Sequence, residues 1–192
     1  AIKVILSTVL LSLVVTGITG SVLNTQLSAG VKDVNLSSAL VEARSTIFTA
    51  EYRFLLAQGE KDSVVQKVVD DVISSATTLT SNENAREVVF LRSPGNTREN
   101  NYEIASNLLD PTSIPSTLSE RVRKNPDLVY QYTNMNYLTG TRIKGLAIGQ
   151  KVQIPNAGQY EMYIIFSLAN QEKTLDLISR SLFLGGFILL LL

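Results

Sequence analysis

The apolar residues of this 192-residue chain are concentrated at its two ends. Residues 4–23 have the sequence VILSTVLLSLVVTGITGSVL without a charge, which is the length that a helix needs to cross a bilayer. A cleaved signal peptide is the alternative, but this run is longer than such a segment and no small-residue cleavage site follows it. We therefore expect residues 1–23 to form an uncleaved first transmembrane helix.

The second apolar end begins after Arg180. Residues 181–192 have the sequence SLFLGGFILLLL, and we expect them to be the truncated start of a second transmembrane helix. A buried C-terminal core helix is the alternative, although four terminal leucines with no polar face argue against it. With Lys3 on the cytoplasmic side, the positive-inside rule predicts that residues 24–180 form an extracytoplasmic domain between the two membrane helices.

The spacing of apolar residues after the first end is that of a long helix. Steps of three and four residues connect a stripe in which Ser38 and Ser45 occupy the missing steps, and Gly59 ends it. The stripe could face the core or form the seam of a homodimer, and the sequence leaves both open. The stripe comprises Leu23, Leu27, Val31, Val34, Val41, Phe48, Tyr52 and Leu55. As candidate residues of a signalling or dimer helix we take Leu27, Val31, Val34, Val41 and Phe48.

The middle of the chain alternates between helical and strand patterns. A second helix is predicted from Ser63 to about Leu79, with Val64, Val68, Val72 and Ile73 directed inward. Strand patterns follow at 87–92, 128–133, 144–154 and 159–168, with a short helix at 116–124. A last helix begins at Asn170 and continues into the second apolar end.

This order predicts an α+β fold. We expect an antiparallel sheet of about four to five strands, of the PAS/PDC-like sensor type, with helices on one face. The long N-terminal helix would be continuous with one membrane span and the C-terminal helix with the other. Such an arrangement allows a small bias on the sheet to shift or tilt the helix that leaves it.

Composition excludes several function classes. The 17 basic residues balance the 17 acidic ones, so the nucleic-acid readers that rely on a basic excess are excluded. Cysteine and histidine are absent, which excludes disulfides, thiolate nucleophiles, Cys/His zinc sites and Ser-His-Asp catalysis. We expect no catalytic, cofactor-binding or metal-binding residue in this chain.

Three groups of polar and aromatic residues are weak candidates for a site. Asp70 and Asp71 with Glu83 and Glu87 lack the loop pattern of a calcium site, and a solvated surface explains them better. The basic residues between 92 and 144 could surround an anionic ligand, but they are explained equally well as separate cations on the surface. Aromatic residues on predicted strands suggest a ligand pocket, although half-buried aromatics are the ordinary explanation. For this pocket we take Tyr130, Tyr132, Arg142 and Tyr163.

The two ends of the chain resemble the sensor region of actinobacterial MtrB-type sensor histidine kinases. The resemblance rests on residues 5–46, on LVYQYT at 128–133, on LAIGQKV at 146–152 and on residues 160–186. Ser167 stands where the family's Tyr-Leu-Ile-Phe-Pro-Leu block has proline, and Gln171-Glu172 keeps half of an acidic pair. Residues 79–127 resemble no family.

The resemblance implies a dimeric two-component kinase that responds to osmotic or cell-envelope stress. It implies that a kinase module with ATP and Mg and the phosphoacceptor histidine belongs after residue 192. It also implies a response regulator of the MtrA kind and an envelope lipoprotein as partners. A chemoreceptor ectodomain and a membrane-anchored envelope scaffold are the alternatives, and nucleic acid is not an expected partner.

Overall fold

The computed structural model describes residues 36–77 and 85–191. Over these residues the protein is α+β, with four α-helices and a five-stranded antiparallel sheet. The elements, in chain order, are α1 (residues 36–56), α2 (Asp62–Ala76), β1 (Arg86–Arg92), β2 (Ile104–Ala105), α3 (Ser116–Lys124), β3 (Val129–Asn136), β4 (Arg142–Ile154), β5 (Gly158–Ser167) and α4 (Ala169–Leu191), with 3-10 turns at Ser106–Leu108 and Pro111–Ser113.

The chain divides into two compact units. Ser38–Ala169 contains the sheet and α1 to α3, whereas Ala1–Ser37 and Asn170–Leu192 form the other unit. Within that other unit, α4 carries an exposed ion pair one turn apart, Arg180 to Asp176 at 2.9 Å. Among the helical residues that the structure describes, no segment meets the combined requirements of length and apolarity for crossing a bilayer. The first predicted span, residues 1–23, lies outside the described residues.

The sheet has the strand order β2-β1-β5-β4-β3, and every neighbouring pair is antiparallel. Strands β4 and β5 form a long hairpin that pairs from Ile154↔Gly158 to Gly145↔Ser167. The hairpin turn is held by Asn96, whose side-chain amide donates to the carbonyls of Ala157 and Gln159 at 2.8 and 3.0 Å. Strands β1 and β5 each have a neighbour on both sides, and successive residues in the middle of both strands are buried, so both faces of the sheet are covered there.

One face of the sheet, which we call the α3 face, packs against α3 and the two 3-10 turns. Val89, Ala147 and Ile165 of the strands contact Leu118 and Val122 of α3 in one buried cluster. The amphipathic pattern of α3 explains this placement, because its two apolar side chains are four residues apart and therefore share a helix face.

The opposite face, which we call the α1 face, carries α1 and α2. Strand alternation places Phe90 on this face, where its ring meets Phe54 of α1 edge-on at 6.1 Å. Arg86, two strand positions from Val88, forms an ion pair with Glu42 of α1 and donates to the carbonyl of Ala76 in α2. Helices therefore cover both faces, and the expectation of helices on one face is wrong.

Most predicted elements are present near their expected bounds, with two differences. The core side of α2 is formed by Val65, Val69, Val72, Ile73 and Ala76. Val64 is exposed and Val68 is only partly buried, so their predicted inward orientation is wrong. Strand β2 was not predicted, because its two residues carry no periodic signal.

Candidate functional site

Helix α1 has two apolar faces on opposite sides. The face toward the sheet consists of buried side chains at steps of three and four residues. A second stripe with the same spacing begins two residues later and therefore points away from the sheet. The buried side chains are those of Ala39, Ala43, Ile47, Ala50, Phe54 and Ala57.

The second stripe is the one that the sequence singled out, and it is exposed. Val41 is 72% exposed, Phe48 69%, Tyr52 55% and Leu55 64%. The stripe is therefore not the core-facing surface of α1, which was one of the two alternatives that the sequence left open. Leu27, Val31 and Val34, the other candidate residues of this helix, lie outside the described residues.

A groove of about 610 Å³ lies between the C-terminal half of α1 and α2. Leu56, Val64 and Val68 form its apolar part, and Arg53, Glu60 and Asp71 form its charged rim. Arg53 Nη1 reaches the Asp71 carbonyl at 3.5 Å across the groove. Since the groove is open and its rim carries both signs of charge, it has no set of converging polar groups that would select a small ligand.

The four residues of the candidate ligand pocket do not come together. Tyr130 and Tyr132 lie on the α1 face of the edge strand β3 and are 37% and 48% exposed. Tyr163 is fully buried on the α3 face, where it pairs with Gly149 across the sheet. Arg142 lies at the start of β4, and its Nε donates to Asn136 Oδ1 at 2.9 Å.

The α3 face is filled by the protein's own side chains. Tyr163 lies over Gly149 so closely that a Cβ at position 149 would be 2.5 Å from Tyr163 Cε1. Met135 covers Gly145 in the same manner, with its Cγ 2.7 Å from an added Cβ. Because Gly149 and Gly145 have no side chain, Tyr163 and Met135 can lie directly against the backbone of β4. These two side chains fill the space over the sheet on the α3 face.

A buried carboxylate joins α3 to the sheet. Glu161 of β5 is 1% exposed, and its carboxylate accepts hydrogen bonds from Ser119 Oγ at 2.6 Å and Tyr163 Oη at 2.6 Å. Arg123 Nε donates to the same carboxylate at 2.9 Å and forms an ion pair with it, and the Arg123 side chain is 39% exposed. Burial, then the hydrogen bond to Glu161, raise the pKa of the Tyr163 hydroxyl above its ordinary value. Each donor satisfies a lone pair of a charge that would otherwise be costly to bury.

A second buried carboxylate, that of Glu87, lies on the same face in β1. Ser106 Oγ donates to it at 2.5 Å and Tyr137 Oη at 3.0 Å. Burial and the nearby Glu87 charge raise the pKa of Tyr137. Asn107 Nδ2 is a third donor, at 3.4 Å. In the described part of the chain no cation pairs with Glu87, so these hydroxyl and amide donors alone compensate its charge. The two carboxylates together attach the segment between β2 and β3 to the sheet at both of its ends.

The acidic residues considered for a metal site do not assemble. Asp70 and Asp71 are exposed on α2, which covers the α1 face, whereas Glu87 is buried on the α3 face, and Glu83 lies outside the described residues. No group of three or more metal-ligating side chains occurs within residues 36–77 and 85–191.

The two buried carboxylates have a signal of their own in the sequence. Glu87 and Glu161 are the single acids of β1 and β5, and each stands next to the run of apolar residues in its strand. A charge in such a position requires hydrogen-bond donors from elsewhere in the fold. The pattern thus predicts a buried polar cluster, although it does not identify the donors.

A comparison of the chain with protein-family models finds no match, and a comparison with curated proteins finds none either. The resemblance to MtrB-type kinases therefore stays a prediction from the quoted residues. The site that the structure describes is the exposed apolar stripe of α1 together with the filled α3 face of the sheet.

Proposed function

We propose that this chain is the signal-sensing region of a two-component sensor histidine kinase in the plasma membrane. Residues of about 24–180 are extracytoplasmic in this proposal, between two membrane helices. The observation that carries it is the five-stranded antiparallel sheet of order β2-β1-β5-β4-β3, which fits the PAS-like sensor sheet that the sequence predicts, in a domain that α1 enters and α4 leaves. The resemblance of both ends to MtrB-type kinases is a separate support from the sequence.

The packing of the α3 face supports a physical stimulus rather than a small-molecule ligand. The space over the central strands, between sheet and α3, is occupied by Tyr163, Met135 and the Glu161 cluster. A ligand there would have to displace a buried ring and an ion pair, which costs several kcal/mol before any contact is gained. Osmotic or cell-envelope stress acting on the helices fits such a filled domain.

Transmission of the signal follows from how α1 is attached. Glu42–Arg86 and Phe54–Phe90 connect α1 to β1, and β1 pairs with β5, the strand that leads into α4. A displacement of α1 is therefore coupled to β5 through a single intervening strand. The cytoplasmic kinase that reads it would use ATP and Mg and would phosphorylate a regulator of the MtrA kind. A homodimer and an envelope lipoprotein partner complete the proposal.

The test is autophosphorylation of the full-length parent in liposomes. Osmolality is raised with an impermeant solute, with a permeant solute at equal osmolality as control, and salt is varied separately. We expect activity to follow the impermeant solute and to lose this response when residues 24–180 are deleted. Phosphorylation indifferent to all three would contradict a physical stimulus, and no phosphotransfer would favour the chemoreceptor or scaffold alternatives.

A further inference from the structure

We propose that one end of the sheet docks on the surface of a bilayer with anionic lipid headgroups. The docking surface, which we call the tip, comprises the 3-10 turn at residues 106–108 and the turn between β3 and β4 at residues 137–141. Two leucines supply its apolar contact, and two cations at the start of β4 supply the attraction to the headgroups. The inference rests on the proposed function in one respect, because that proposal anchors the domain to a membrane.

The tip exposes two leucines on neighbouring turns. Leu108 is 61% exposed and Leu138 is 68% exposed. The backbone N–H of Leu138 donates to the carbonyl of Leu108 at 2.9 Å, so the two turns are joined directly. A single exposed leucine on a protein surface is ordinary, whereas two neighbouring leucines on a projecting pair of turns form a small apolar patch.

The backbone of the 3-10 turn is strained at the position that exposes Leu108. Asn107 has a φ of 48° and Leu108 a φ of 60°, both in the left-handed region that residues other than glycine and asparagine rarely adopt. A domain surrounded by water gains nothing from a leucine that is both strained and solvated. Glycine or asparagine at position 108 would suit this backbone better, which points to a partner for the leucine outside the domain.

The buried carboxylate of Glu87 fixes both turns of the tip. It accepts hydrogen bonds from Asn107 Nδ2 at 3.4 Å and from Tyr137 Oη at 3.0 Å. These two donors are the residues that immediately precede the exposed leucines in the chain. A surface that is already ordered loses less conformational entropy when it binds. The polar cluster around Glu87 therefore presents the two leucines in a fixed arrangement.

The tip lies at the end of the sheet where β5 leads into α4. The last pair of β4 with β5 is Gly145↔Ser167, whereas β3 and β4 continue to Asn136↔Arg142, about 10 Å farther. In the proposed function the bilayer surface lies near residue 180, and the helical chain from the start of α4 to that residue is about 17 Å long. This length limits how far that end of the sheet can lie from the bilayer, so the projecting tip can reach the headgroups.

The charges at the tip complement an anionic surface. Arg142 and Lys144 are exposed and two residues apart, so strand alternation places them on the same face of β4. The sequence has no acidic residue at 134–144 or at 104–109. Asp110, which follows the 3-10 turn, already accepts a backbone N–H of the next turn at 2.9 Å. In a chain with no net charge, this local excess of two cations favours anionic headgroups over a partner protein of purely apolar character.

Fluorescence quenching by lipid tests the contact in the full chain, because the chain has no cysteine of its own. Thr139→Cys at the tip and Thr97→Cys carry the same fluorophore, and both threonines are exposed. Thr97 is the matched control, since its neighbour Asn96 binds the β4–β5 turn at the opposite end of the sheet. The vesicles contain phosphatidylcholine and phosphatidylglycerol in equal amounts, with a nitroxide on a fraction of the headgroups. We expect strong quenching at position 139 and none at position 97, and equal quenching at both or none at 139 overturns the proposal.

Variants of the tip separate docking from folding. Leu108→Asn should be at least as stable as the parent in chemical unfolding, since asparagine accepts the positive φ, yet it should lower the ratio of docked to undocked tip about tenfold. Arg142→Gln combined with Lys144→Gln should lower that ratio about tenfold on the anionic vesicles and leave it unchanged on phosphatidylcholine alone. Quenching that Leu108→Asn leaves unchanged, or an equal effect of the glutamines on both kinds of vesicle, would refute docking on an anionic lipid surface.

Flotation of the chain with the vesicles is measured in the same samples. A chain that does not float with them would contradict both the docking and the membrane anchoring of the proposed function. A chain that floats with them while position 139 stays unquenched would overturn the docking alone. The two failures are therefore distinguished.

Discussion

The packing of Tyr163 over Gly149 yields a prediction with a definite magnitude. In Gly149→Ala the new methyl carbon would lie 2.5 Å from Tyr163 Cε1 and 3.0 Å from Val122 Cγ2, whereas carbon atoms pack at about 3.5–4.0 Å. The ring cannot move away, because it is fully buried and its hydroxyl donates to Glu161. Overpacking of this kind costs about 1–3 kcal/mol, and we expect the upper half of that range.

Gly145→Ala is the matched control in the same strand. Its methyl carbon would meet Met135 Cγ at 2.7 Å and Ile165 Cγ2 at 3.1 Å. Met135 is as buried as Tyr163, but its unbranched thioether can adopt another rotamer, which the rigid ring cannot. Neither glycine has a positive φ, so both substitutions gain the same few tenths of a kcal/mol from the restricted unfolded chain. We expect Gly145→Ala to cost less than about 1 kcal/mol.

The assay is chemical unfolding of the chain in detergent micelles, followed by far-ultraviolet circular dichroism. A double variant that adds Tyr163→Leu should recover part of the free energy lost in Gly149→Ala, because the shorter side chain no longer fills the depression above position 149. If Gly149→Ala were as stable as the parent, or if both alanine variants lost equal free energy, Tyr163 would not be held as the structure indicates.

Three further predictions concern the polar contacts. Arg123→Ala should lower the free energy of unfolding by about 1.5–3 kcal/mol. The loss is smaller than for a fully buried pair, because Glu161 keeps its two hydroxyl donors. The same unfolding assay measures the loss, and an unchanged stability would show that the ion pair contributes nothing. Tyr137 and Tyr163 have raised pKa values, so their protonated forms stabilise the fold fully below about pH 10, where unfolded tyrosine titrates, and stability should fall above it by up to about 1.4 kcal/mol per pH unit for each tyrosine. Burial also raises the pKa of Tyr102, which adds to the slope, so Tyr163→Phe should reduce the slope by the share of one tyrosine, and an unchanged slope would contradict the assignment. Asn156→Ala should cost about 1–2 kcal/mol and Asn156→Gly less, because glycine loses the same bonds to Glu60 and Asp62 but accepts the positive φ; the reverse order would refute this account.

The elements of the fold were predictable from local patterns. The strand alternation of β4 and β5 and the short helix α3 appear close to their expected bounds, because strong periodicity specifies an element without its surroundings. The face that each helix covers was not predictable, because a sheet buried on both sides has no polar face to reveal it. In α2 the valines occur as the adjacent pairs Val64-Val65 and Val68-Val69, so the sequence does not show which member of each pair faces the core.

In the candidate site, too, the local patterns were predictable and the tertiary surroundings of the side chains were not. The 3-4 stripe of α1 was visible in the sequence, but its exposure depended on a second row of mostly alanines that carries a weak hydrophobic signal. The pocket residues Tyr130 and Tyr163 could not be separated by type, since only strand register shows that they lie on opposite faces. Tyr163 lies two residues from Glu161 on the same strand face, but the donors Ser119 and Arg123 come from α3, and no local pattern connects α3 with β5.

The alanines of α1 have a mechanical consequence. Three of its five buried side chains are alanines, so the helix presents a smooth surface to the sheet, and Ile47 and Phe54 are its two large buried side chains. These two residues are seven positions apart, roughly 10 Å along the axis. Lifting α1 from the sheet would expose the whole apolar row at once, whereas a translation along its axis is opposed by Ile47, by Phe54 and by the ion pair of Glu42 with Arg86. The attachment of α1 therefore resists separation from the sheet more strongly than it resists a small shift along the helix axis.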